Sequence, residues 1–154
     1  MLLLLDIDGV MVPANSWKRP EFLKDGFPAF SSKSTQALQK IIFETSADIL
    51  LITSHRSRYT IEEWQNIFKL RGIITNKIDI LPESKGFLSR KEEVMNWFST
   101  NNNIKDFIVI DDDKSLNALP PAVKRRLIQT SASVGLTNEL AIETLHIVQE
   151  TQLV

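Results

Sequence analysis

The stretch that decides the fold is Leu2-Leu3-Leu4-Leu5-Asp6-Ile7-Asp8-Gly9-Val10-Met11-Val12. Four leucines in succession suit a strand covered on both faces, as in a parallel sheet. Asp6 then falls at the carboxyl end of that strand and Asp8 just past it, and Gly9 permits the sharp turn that must follow. Ligands of open α/β sheets bind at that edge. Two carboxylates held there repel each other unless a cation or a proton lies between them. The plain alternative is a turn whose acids satisfy local backbone donors. The choice depends on what the other strands bring to the same edge.

Working outward, residues 13–32 hold Pro13, Pro20, Gly26 and Pro28 together with Trp17, Phe22, Phe27 and Phe30. Such a segment is either a loop pinned to the body by its aromatics or a flap over the carboxylates, with Trp17, Lys18 and Arg19 near a substrate. Helical spacing predicts helices over 34–45, over 60–71 with Gly72 closing it, and from Thr137 or Asn138 to about Gln149. A further helix is predicted over 89–99, with Ser89 and Glu92 or Glu93 forming a capping box. Apolar runs predict strands over 48–54, 107–110 and 127–131, and a strand plus connection over 73–81. Strand and helix in alternation predict an α/β, Rossmann-like domain with a mainly parallel sheet between helical layers. One domain spanning 1–154 is expected, because 154 residues suffice for a sizeable core.

The formal net charge of −1 gives no whole-protein attraction to nucleic acid or anionic membrane. With no cysteine, disulfides and thiolate metal sites are excluded, and with His55 and His146 alone a zinc site is disfavoured. The leucine run is too short for a signal core and no basic residue precedes it, so a cytoplasmic protein is expected. Lys124-Arg125-Arg126 reads as a solvated basic run, with nucleic-acid contact a minor alternative.

Three predicted strands end in polar groups: Asp6 and Asp8, Thr53 and Ser54, and Asp111-Asp112-Asp113. Parallel strands bring their carboxyl ends to one edge, so these groups converge. Lys91, placed against the dipole at the start of a predicted helix, can join them. Several carboxylates at one edge need a counter-cation, and oxygen ligands favour magnesium. A carboxylate beside magnesium suits phosphoryl transfer, with Asp6 as nucleophile. Asp8 then serves as general acid and base, Thr53 donates to a phosphoryl oxygen, and Lys91 offsets charge. Arg56 suits an oxyanion, and Ser54, Arg56 and Gly9 are expected to border the substrate. Solvation is an equal reading for His55 and Arg56.

The order Asp6-Ile7-Asp8-Gly9-Val10, then Leu50-Leu51-Ile52-Thr53, a lysine at a helix start, and Ile108-Val109-Ile110-Asp111-Asp112 resembles the haloacid dehalogenase (HAD) superfamily of phosphohydrolases. Ser89-Arg90-Lys91-Glu92-Glu93, the aspartate triplet and Gly135-Leu136-Thr137 look like the small capless domains also found in multidomain RNA-repair proteins. The resemblance implies a three-layer HAD-like sandwich without a cap. It also implies a magnesium-dependent phosphohydrolase working through an aspartyl-phosphate on Asp6. The metal ligands would be Asp6, Asp8 and Asp112, with Asp111 next in line. Lys91 would be the third-motif lysine and Lys85 its rival. An open site suits a phosphate on a large substrate, a nucleic-acid end among the options. A catalytically weak domain of this fold that binds a phosphorylated partner is the alternative from another class. A metal-independent dehalogenase fits the crowded carboxylates poorly.

Overall fold

The computed structural model describes residues 1–14, 19–86 and 88–152, with Gln152 described for its backbone alone. Five strands form one sheet: β1 (Leu2–Leu5), β2 (Asp48–Leu51), β3 (Ile78–Ile80), β4 (Phe107–Asp111) and β5 (Leu127–Gln129). Their order is β3-β2-β1-β4-β5 and every pairing is parallel. The leucine run is thus the central strand, with Leu5 in register with Leu51 on one side and Ile110 on the other. Both neighbours of β1 are strands that end in functional groups. Asp6, Thr53 and Asp111 therefore arrive at one edge because of the register.

The helices are α1 (Ser32–Thr45), α2 (Ile61–Leu70), α3 (Arg90–Thr100), the short α4 (Pro121–Lys124) and α5 (Asn138–Gln152). Side-chain alternation splits the core into two layers. Leu3, Leu5, Ile49, Leu51, Ile108 and Ile110 face α1, α2 and α5, while Leu4, Leu50, Phe107 and Val109 face α3 and its neighbours. Burial on both faces explains why these strands read as unbroken apolar runs. The strands and helices fall close to the sequence expectation. The largest differences are β3, only three residues long, and the start of α1, which lies at Ser32 with Ser31 as its cap rather than at Ser34. Ser34 is instead buried and donates to the Leu136 carbonyl at 3.0 Å. Among the described residues no helix is long and apolar enough to cross a membrane.

The described part of 13–32 is a pinned loop. Arg71, at the end of α2, donates to Asp25 and to the Phe27 and Pro28 carbonyls. Its guanidinium also lies over the rings of Phe27 and Phe30. Trp17 and Lys18, expected near a substrate, lie outside the described residues.

Candidate active site

Past β1 the chain turns tightly: the amides of Val10, Met11 and Val12 all donate to the Ile7 carbonyl. Gly9 sits at φ +78° with Asp112 packed against its backbone, so close that a Cβ at Gly9 would lie 2.3 Å from Asp112 Oδ2. Gly135 makes the second close approach, and Leu136 donates to the Val10 carbonyl at 2.8 Å. The turn that carries Asp6 and Asp8 is thereby fastened to the loop before α5.

Asp6, Asp111 and Asp112 each offer an oxygen within 4.8 Å of the others. Asp6 and Asp111 are buried, Asp112 partly so. Burial first, and the charge of Asp6 second, push Asp111 up to about 8. Burial also raises Asp6, against the opposing pull of Arg90. Without a metal ion the pair holds a proton at neutral pH. That is the condition a hard divalent ion relieves, so the donor set, three carboxylates and no nitrogen or sulfur, fits magnesium.

The cation that meets these acids is Arg90, not Lys91. Arg90 Nη1 donates to Asp111 Oδ2 at 2.6 Å and lies 3.6 Å from Asp6 Oδ1. Burial works against its charge, but Asp111, Asp6 and Glu93 outweigh that and raise its pKa. Glu93, one turn along α3, lies 3.8 Å from Arg90 Nε, and the Ser89–Glu92 capping box fixes where the helix starts. Among the described residues Lys91 makes no ion pair; its backbone amide donates to Ser115 Oγ. Lys85 is exposed on the loop before α3. The sequence reading set Lys91 against the helix dipole, whereas the side chain that the structure sets against the acids is that of Arg90, one residue earlier. The partner three residues on, Glu93, distinguishes Arg90.

Asp8 stands apart from the cluster. Its side chain is 54 % exposed against 7 % for Asp6, and its Oδ2 lies 2.6 Å from His55 Nε2. Expected among the metal ligands, it is turned to the rim because it sits beyond the strand end, in the turn. Thr53 is fully buried at the end of β2, and its hydroxyl accepts from the His55 amide, leaving its own O–H to donate. Ser54 is exposed beside it. Arg56, expected to meet substrate, is buried instead. It donates to the carbonyls of Leu81 and Thr53 and to the Glu93 carboxylate. It therefore holds Glu93, which in turn faces Arg90. The Asp113 carboxylate caps the turn that begins at Lys114, and the Asp113 backbone amide donates to Asp111 Oδ1 at 3.0 Å. His146 is exposed. His55, read as a solvated loop residue or a neighbour of substrate, is the partner of Asp8; periodicity could not signal this.

Parallel strands around an acid-tipped central strand, with a half-buried arginine against the acids, define a Rossmann-like domain whose three carboxylates could hold a hard cation. Residues 2–141 match the family described as the HAD domain in Swiss Army Knife RNA repair proteins, and the chain belongs to that family. Searches among curated proteins and among solved structures found no match.

Proposed function

We propose that this chain is a magnesium-dependent phosphohydrolase acting through an aspartyl-phosphate on Asp6. The observation that carries the reading is the convergence of Asp6, Asp111 and Asp112 within 4.8 Å beneath Arg90. Magnesium held by these three carboxylates would supply the positive charge that lets an anionic phosphate approach an anionic nucleophile.

The Asp6 carboxylate attacks phosphorus, and the bond from phosphorus to the ester oxygen breaks as the new one forms. Asp8 delivers its proton to the departing oxygen. It then takes a proton from the water that attacks the aspartyl-phosphate, which releases phosphate and restores Asp6. Arg90 and the Thr53 hydroxyl offset the charge on the transferred group. Retention of both Asp6 and Asp8 favours this over a silent phosphate-binding domain. The short interval between motifs leaves no room for a cap, and the family is described from RNA repair proteins. Both support a phosphate at the end of a nucleic acid as the substrate.

Hydrolysis of an aryl phosphate tests the reaction. Turnover should require magnesium, stop with a chelator, and fall by about a thousandfold or more in Asp6→Asn, the scale of losing a nucleophile. Turnover that persists without a divalent ion removes the mechanism. A phosphorylated oligonucleotide should outcompete the aryl ester; indifference between them removes the nucleic-acid end as substrate.

A further inference from the structure

The contacts around His55 play no part in the chemistry above. His55 Nε2 faces Asp8 Oδ2 at 2.6 Å, and His55 Nδ1 faces Arg58 Nη1 at 3.2 Å. A guanidinium has donors and no acceptor, so Nδ1 must be the accepting nitrogen. The ring proton then resides on Nε2, and Nε2–H donates to Asp8. Phe27 meets the imidazole edge-on, with centroids 6.0 Å apart and planes at 89°. Phe27 is itself buried and packed against Phe30, Tyr59 and Trp64. The His55 amide donates to Thr53 Oγ1 at 3.3 Å, tying the ring's own loop to the end of β2. Packing, tautomer and partner are thus each specified by a different neighbour.

The geometry points to His55 as a positioning residue for Asp8: its Nε2–H holds one carboxylate oxygen at the rim and presents the other to the leaving group. This rests on the phosphohydrolase reading. An acid that hands a proton to the leaving oxygen has to stay off the cation, because a ligating carboxylate is held deprotonated. His55 supplies the restraint that keeps Asp8 from turning in to join Asp6, Asp111 and Asp112. Arg58 acts one step further out, by keeping the imidazole proton on Nε2.

Three variants separate orientation from packing. His55→Phe keeps a ring against Phe27 and removes the donor, His55→Gln restores an N–H at similar reach, and Arg58→Ala frees Nδ1. In His55→Phe, kcat should drop about ten- to hundredfold, the usual cost of removing an orienting hydrogen bond beside a functional group. KM should stay within about twofold, because binding is not what the contact serves. His55→Gln should recover most of the rate. Two-bond proton–nitrogen NMR of the imidazoles reads the tautomer directly. With two histidines in the chain, a His146→Gln variant completes the assignment. The wild-type protein should show His55 as Nε2–H, and Arg58→Ala a mixture. An Nδ1–H ring in the wild type overturns the assignment. So does His55→Phe turning over at the wild-type rate while Asp6→Asn is inactive, and that outcome leaves the phosphohydrolase standing. A wild-type protein with no magnesium-dependent turnover overturns the underlying reading and this one with it.

Discussion

At Gly9 two constraints fall on one residue: a backbone at φ +78° and the Asp112 carboxylate lying where a Cβ would be. Gly9→Ala therefore strains the turn by about 1–2 kcal/mol, the cost of left-handed backbone for an L-residue. It also drives Asp112 out of the cluster. The two effects separate in a double mutant. In an Asp112→Ala background the collision is gone, and Gly9→Ala should cost only the backbone strain in chemical denaturation. If Gly9→Ala leaves the magnesium-induced rise in melting temperature unchanged, Asp112 does not depend on the space at Gly9. Residue by residue, the acids were legible in the sequence because each terminates an apolar run whose direction fixes its edge. Arg90 was not, since Arg90 and Lys91 are adjacent cations in one helical turn and periodicity does not rank them. The place of the Asp8 side chain at the rim was not legible for a related reason. Spacing from Asp6 tells how far along the turn it lies but not which way the carboxylate points.

The loop carrying Phe27 owes its form to α2, the element whose last turn delivers Arg71. That guanidinium is nearly inaccessible, forks onto Asp25, and satisfies the Phe27 and Pro28 carbonyls besides. Removing it in Arg71→Ala takes the Arg71 donors from the Pro28 carbonyl and leaves the Phe27 carbonyl with the Leu23 amide alone, and should destabilise the fold by about 2 kcal/mol. Arg71→Lys should restore little, because an ammonium cannot make the planar fork. Limited proteolysis should show new cleavage between 19 and 31 in Arg71→Ala, with the sheet still protected; an unchanged pattern would mean that the aromatics alone hold the loop. The pair also has a pH signature. Arg71 holds Asp25 below the usual carboxylate range. Its contribution is therefore present above the unfolded value and lost as pH falls through the folded one. At this scale the sequence was readable for α2 and α3, whose capping boxes at Thr60 and Ser89 announce their starts. The loop was open between pinned and mobile because its anchor comes from a helix some forty residues on, a contact no local pattern encodes.

Across the whole molecule, the parallel sheet concentrates acids at one edge, and that has a thermodynamic consequence. Asp111 titrates near 8 when folded and near 4 when unfolded, and burial is the main cause. Between those values the native chain holds a proton that the unfolded chain has released. Stability of the ion-free protein therefore falls as pH rises through that window, and the loss is complete only above the folded value. A divalent ion takes the proton's place, so its binding releases protons and strengthens with pH up to about 8. In chelator the melting temperature should decline from about pH 5 to about pH 8, and saturating magnesium should lift it more at the upper end than at the lower. Asp111→Asn removes the titrating group and should flatten the ion-free profile while weakening the response to magnesium. A magnesium shift of the same size at both ends would place the ion elsewhere, since only carboxylates that must first lose a proton make its binding depend on pH in this range.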